Sequence, residues 1–171
     1  MPHAVTHVIL TIIAVDLFRD YFTKHRKYFT MHTLLIAGIA GLLPDIDHPL
    51  NWLLGGSVEL LQHGGMTHTP LFGLIFLIPA LILWKKGKHK TAMYFFVACF
   101  GIMFHLFLDW LLGGGAHYGI MLFWPISTYS VKLHLLKFFS DGTTLPAALD
   151  AVILLLWLWH EEAKHKIKDF I

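Results

Sequence analysis

Long apolar stretches alternate along the chain with short polar connections marked by glycine and proline. Five such stretches cover about residues 3–18, 29–44, 71–84, 92–112 and 146–160. Sustained hydropathy in five segments of so short a chain points to a lipid phase. A full span takes ~20 apolar residues, with ~17 as the lower end. Only the fourth stretch is comfortably long, so the others imply tilt, bilayer thinning or a partly re-entrant path. Pro79 predicts a kink in the third. The expected architecture is all-α: a polytopic transmembrane helical bundle of about five apolar segments, forming a single domain over residues 1–171. The competing reading of the same pattern is a soluble all-α protein with buried helices. No internal repeat, proline-rich linker or low-complexity tract interrupts the chain.

Composition narrows the choice. The chain is 56% hydrophobic and 14% charged, against ~45–50% and ~25% for an ordinary soluble domain. This argues against a soluble globular protein, a disordered chain and a nucleic-acid binder. The net charge of +2 is too small to signal a polyanionic partner. The lone Cys99 lies in an apolar run and has no partner for an internal disulfide.

The basic residues suggest an orientation. No basic residue precedes the first apolar stretch and no small-residue cleavage site follows it, so an uncleaved anchor is expected. Arg19, Lys24, Arg26 and Lys27, then Lys85, Lys86, Lys88 and Lys90, then Lys164, Lys166 and Lys168 share one membrane face if all five segments cross. Only Lys132 and Lys137 fall on the other. Positive charge is retained in the cytoplasm during insertion. The expectation is an integral protein of the cytoplasmic membrane. Its basic loops and C-terminus are then cytoplasmic, and its N-terminus, the 45–70 loop and the 113–145 loop lie outside. The last opens with Gly113, Gly114 and Gly115 and holds an apolar patch, Tyr118–Pro125, suited to the lipid interface.

Thirteen histidines equal the lysines and arginines in number, and several stand beside aspartate. In Leu43-Pro44-Asp45-Ile46-Asp47-His48-Pro49, two carboxylates and an imidazole fall between prolines that discourage a continuing helix. Such donors bind Zn²⁺, Mn²⁺ or Fe²⁺ from a loop, although aspartate is also common in polar turns at helix ends. In Gln62-His63-Gly64-Gly65-Met66-Thr67-His68-Thr69-Pro70, the glycine pair lets the backbone turn closely around a ligand. Thr67 or Thr69 could cap the following helix or position an imidazole. His63 and His68 could equally be ordinary exposed and interfacial histidines.

His105 and Asp109 leave one helix face a turn apart, inside an apolar segment. Ionisable groups at that depth face a polar cavity and a partner, as metal ligands or as a self-satisfied buried pair. His7, in the first stretch, is weak alone, and His3 weaker. The orientation derived from lysine and arginine alone puts all four groups at the same face. His117 and His134 lie on that side without a motif. His25, His32, His89, His160 and His165 fall near the basic face, and His160-Glu161-Glu162 reads as a helix end. Asp150 opens the fifth segment on the outer side, as a supporting partner or a simple helix N-terminal charge.

The motifs together resemble the membrane-bound metal-dependent hydrolase family of bacteria and archaea, some of whose members are DNA-damage-inducible inner-membrane proteins. The likeness rests on Leu43–Pro49, His63–Thr69, His105-Leu106-Phe107-Leu108-Asp109, Gly119 through Trp124-Pro125, and His7. It extends from about residue 3 to residue 127. Gly64 stands where that family usually has arginine, removing a natural bidentate partner for phosphate, and Thr69 stands where it usually has serine. The His-x-x-x-Asp element is also loosely similar to one in zinc-dependent phospholipases C.

The resulting expectation is a hydrolase with a dinuclear centre at the outer face, acting on an ester or phosphoester, such as a phospholipid. The candidate ligands are His7, Asp45, Asp47, His48, His68, His105 and Asp109, more donors than one four-coordinate ion takes. Zn²⁺ is the first choice, with Mn²⁺ or Fe²⁺ as alternatives. Asp45 is the candidate proton acceptor; His63, Thr67 and Asp150 would support the ligands or contact a small-molecule or lipid substrate. Two other classes stay open. A metal-ion or proton transporter would carry ionisable groups through the full bilayer depth. A non-catalytic membrane protein would use the cluster as a closed structural clip.

Overall fold

The computed structural model describes residues 4–23, 28–56, 63–112, 119–133, 135 and 144–165. Among them, α1 (Ala4–Leu17) runs into a π turn at Phe18–Phe22, and α2 (Met31–Leu42) passes through a 3-10 turn, Leu43–Ile46, into α3 (Asp47–Leu53). A 3-10 turn at Met66–His68 leads into α4 (Pro70–Leu74) and α5 (Leu77–Lys85). The longest helix is α6 (His89–Leu112), and α7 (Thr144–His165) follows. No strand occurs among the described residues; Ile120 and Val131 form one isolated antiparallel bridge. His3, His25, Gly113–Gly115, His117, Tyr118, His134, Lys24, Arg26, Lys27, Lys137, Lys166 and Lys168 lie outside the described residues.

All five apolar stretches coincide with helices, but only α6 is, among the described residues, both long and apolar enough to cross a membrane. Pro70–Lys85 is a shorter apolar run. Its break falls at Ile75 and Phe76, ahead of Pro79. Proline offers no N–H to the Ile75 carbonyl four residues back and crowds it, so Ile78 takes that acceptor at 3.3 Å in a tighter turn.

Two local expectations are corrected. Leu43–Pro49 is not a loop: Pro44 sits in the first positions of the 3-10 turn and Pro49 in the first turn of α3, where a missing N–H costs nothing. His160-Glu161-Glu162 is not a helix end, because α7 continues to His165. Arg19 and Asp20 of the π turn after α1 lie against that last stretch, Asp20 3.2 Å from Lys164.

Small residues bring the central helices together. A side-chain carbon on Gly41 of α2 would stand 2.6 Å from Thr11 Oγ1 and 3.0 Å from the His7 carbonyl of α1. One on Gly101 of α6 would stand 2.8 Å from Ala40 Cβ. Close backbone approach of this kind replaces the hydrophobic driving force where helices associate in lipid. Val15, Leu34, Ala37 and Val97 form the apolar core beneath, with Phe29 and Met93 against it. Outward-facing Leu35, Ile39, Ile78, Leu81, Leu155 and Leu156 remain exposed.

Candidate metal centre

Four segments distant in sequence meet at one end of α1, α2 and α6. His7 comes from the second turn of α1, Asp45 from the 3-10 turn after α2, His68 from the turn before α4, and His105 with Asp109 from α6. Local chemistry fixes the backbone around them. Gly64 adopts φ +86°, which a residue with a side chain rarely tolerates, and so lets the chain reverse between His63 and His68. The Thr69 hydroxyl donates to the Met66 carbonyl at 2.9 Å and accepts from the Phe72 N–H at 3.3 Å, capping α4 directly after His68.

The donor atoms converge. His105 Nε2 lies 3.4 Å from His68 Nε2, 3.1 Å from Asp109 Oδ2 and 3.7 Å from Asp45 Oδ1. His68 Nε2 lies 3.5 Å from Asp45 Oδ1 and 3.6 Å from Asp109 Oδ2. Two ligands ~2.1 Å from a shared tetrahedral ion stand about 3.4 Å apart, so these spacings suit one divalent cation. His7 stacks on the His105 ring with centroids 3.8 Å apart, and its Nε2 lies 3.4 Å from Asp109 Oδ1.

The outer sides of both central imidazoles are already committed. His105 Nδ1 donates to the Gly41 carbonyl at 2.7 Å. His68 Nδ1 lies 3.1 Å from Asp47 Oδ2. A neutral imidazole donating through Nδ1 carries a lone pair on Nε2. As neutral imidazoles, His68 and His105 would thus turn two Nε2 lone pairs, together with carboxylate oxygens of Asp45 and Asp109, toward one point, an arrangement that a bound cation or a proton on an imidazole satisfies. Orienting a ligating histidine through its second nitrogen is the usual arrangement around a metal.

Asp47 consequently stands one step back from this point. It accepts a hydrogen bond from the Thr67 hydroxyl at 3.3 Å and lies 3.3 Å from His63 Nδ1. Asp47, His48 and His63 make a second, more open group able to hold an ion, in which exposed His48 stacks on His63 at 4.3 Å. Asp45, His63 and His68 make a third, and His7, His105 and Asp109 a fully buried fourth. Asp150 reaches none of them; it accepts a hydrogen bond from Thr6 at 2.8 Å and ties α7 to α1.

The same electrostatics act on protons. Burial opposes the charged form of His68, but hydrogen bonds to Asp45 and Asp47 outweigh it and push the imidazole up to about 9. Burial would raise both carboxyls, yet His63 and His68 hold Asp47 far below the usual carboxylate range, and His68 with His105 holds Asp45 below it too.

Two features escaped the motif reading. The Gly41 carbonyl is a backbone group and has no signature in residue type. The second is an ionic network that joins the far end of α1 and the π turn after it to α7. Arg19 lies 2.6 Å from buried Asp16 and 3.1 Å from Asp20, and Lys164 lies 3.2 Å from Asp20. Trp157 Nε1–H donates to Asp16 at 3.2 Å. The spacing of Asp16, Arg19 and Asp20, one face of a helix in an apolar stretch, was the available signal.

No curated protein and no solved structure matches the chain. Over residues 1–167, however, it matches the family described as YdjM inner membrane protein, and it belongs to that family of membrane proteins.

Proposed function

We propose that the protein is a membrane-embedded, metal-dependent hydrolase with a dinuclear His/Asp centre, acting on an ester or phosphoester whose best candidate is a phospholipid. The observation that carries this reading is the meeting of His68 Nε2, His105 Nε2, Asp45 Oδ1 and Asp109 Oδ2 within 3.1–3.7 Å contacts at a buried point. The donor set of imidazole and carboxylate suits Zn²⁺ first, and Mn²⁺ or Fe²⁺ next. Buried His7 Nδ1, which lacks a hydrogen-bond partner, adds to the case for a cation. His7, His68, His105 and Asp109 would hold one ion and Asp47, His48 and His63 the second, leaving Asp45 beside the first as a free base. When bound, such ions polarise the attacked oxygen and acidify water near neutral pH.

The chain's own groups supply the rest. The Gly41 carbonyl and Asp47 keep Nε2 of His105 and His68 directed inward. His7 shields the face of His105 from water. Asp45, with a side chain 20% exposed against 6% for Asp109 and 0% for Asp47, is the carboxylate that water reaches, and it takes the proton. The charge distribution along the chain supports a site facing outward, with Lys85, Lys86, Lys88 and Lys90 on the cytoplasmic side.

The test is element-resolved metal analysis of detergent-purified protein, followed by assays of phosphodiester and phospholipid substrates with and without chelator. Stoichiometric metal and chelator-sensitive turnover, both lost in His68→Ala and Asp109→Ala, are expected. Tight metal without turnover on any substrate would point to a structural clip. Metal or proton flux into vesicles without hydrolysis would point to a transporter.

A further inference from the structure

One apolar stripe runs unbroken along the outside of α2, through the 3-10 turn and onto α3. Leu35, Ile39, Leu42, Ile46, Leu50 and Leu53 recur at intervals of three and four residues, and all are exposed. At the bend between the two helices the stripe turns concave. Ile39, Leu42, Leu43, Ile46 and Pro49 line a cavity of about 370 Å³, open to the outside, whose one charged wall residue is Asp45. The Asp45 carboxylate also faces inward, 3.5 Å from His68 Nε2 and 3.7 Å from His105 Nε2. A single side chain thus separates an exposed apolar surface of this inner membrane protein from the candidate metal centre.

We propose that this elbow receives the acyl chain of a membrane phospholipid and delivers its ester or phosphoester sideways to Asp45, without the lipid leaving the bilayer. A peptide in the elbow would bury N–H and C=O groups against five apolar side chains that offer them no partner. An acyl chain has no polar group until its ester, and the first polar group of the elbow is Asp45. The chemistry of the wall therefore changes where the chemistry of a lipid changes. The proposal rests on the metal-centre reading for one step: an unscreened Asp45 carboxylate would repel a phosphate. Ile46 and Leu42 are the residues that contact the chain.

The experiment uses the full-length protein in nanodiscs containing phosphatidylcholine with a photoactivatable diazirine on one acyl chain. Crosslinked residues are mapped by mass spectrometry, and bound metal is measured on the same sample. Crosslinks within residues 39–49 should exceed, several-fold per residue, those on the equally exposed faces of α5 at Ile78 and Leu81 and of α7 at Leu155 and Leu156. Ile46→Trp, which fills the elbow, should reduce them several-fold and leave metal content unchanged. On the unmodified protein, labelling at 39–49 should saturate as the probe's share of the lipid rises, while labelling of the other faces rises in proportion, which keeps the test independent of how the variant folds. Even labelling of all exposed apolar faces, or labelling at 39–49 that neither saturates nor falls in Ile46→Trp, would overturn the elbow. Selective, saturable labelling in protein that binds no metal would leave the elbow standing and sink the hydrolase reading instead.

Discussion

The carbonyl oxygen of Gly41 lies 2.7 Å from Nδ1 of His105, across a sequence gap of 64 residues. This one contact links the packing of the helices to the chemistry of the site. It fixes the His105 tautomer and aims Nε2 at His68 and Asp109. It depends on close helix approach at two glycines: Gly41 lets α2 come up to α1, and Gly101 lets α6 come up to α2.

Substituting Gly41 should therefore damage fold and site at once. In Gly41→Val the new side chain meets Thr11 Oγ1 and the His7 carbonyl, and such overpacking costs about 1–3 kcal/mol. Gly38→Val, which meets the Ile12 and Val8 side chains of α1, should destabilise through packing but leave the Gly41 carbonyl in place. Thermal unfolding in detergent reads the first effect and metal content the second. Equal loss of metal in both variants would show that Gly41 has no role beyond packing.

Asp47 would act on a bound ion through His68. Asp47→Asn keeps the shape and removes the charge that holds His68 Nδ1, so affinity should fall about 10–100-fold. His105→Ala, which removes a donor outright, should cost more. Competition with a metal indicator separates the two, and unchanged affinity in Asp47→Asn would remove Asp47 from the site.

Ion binding should also stabilise the fold. At a free concentration 100 times the dissociation constant the gain is about 2.7 kcal/mol. Chelation should reverse it in the native protein but not in His105→Ala, as followed by unfolding temperature.

The pH dependence should differ in sign between metal-free and metal-bound protein. His68 is raised from 6.5 to about 9 in the folded chain, so its contribution to metal-free stability is complete below pH 6.5 and is lost as pH rises through 9. Asp47 works in the opposite sense: its contribution is present above the ordinary carboxylate value of 3.8 and disappears as pH falls. Metal binding must displace the His68 proton, so affinity should rise between pH 7 and 9. Unfolding temperatures with and without metal should therefore diverge over that interval. Parallel curves would mean that His68 is not a ligand.

At the far end of α1, Arg19→Ala should leave Asp16 buried beside Asp20 with one fewer cation. Breaking a buried pair from one side costs about 3–5 kcal/mol. Because Trp157 and Lys164 join the same aspartates, α7 should loosen from α1. Faster proteolysis within α7, with metal content intact, is the expected signature.

Much of the architecture was legible from residue order, because hydropathy is a property of composition along the chain. The five apolar stretches match α1, α2, α4–α5, α6 and α7, and proline chemistry announced a break near Pro79. The number of spans was not legible in the same way, since a 12-residue helix such as Met31–Leu42 serves a bundle interior as well as a bilayer. Candidate ligands could be named by type, and His105 with Asp109 by spacing, since a helix places i and i+4 together. Which of them share one point could not. His7, Asp45, His68 and His105 meet only because small residues let α1, α2 and α6 close on one another, and because Gly64 and Thr69 set the path of the chain around His68. The same closure moved Asp47 back to orient an imidazole and gave His105 a backbone partner. It also left Asp45 between the donors and the apolar elbow. Residue type along the chain determines what each group can bind; three-dimensional packing decides which lone pairs face each other, because that depends on distances between segments that are far apart in sequence.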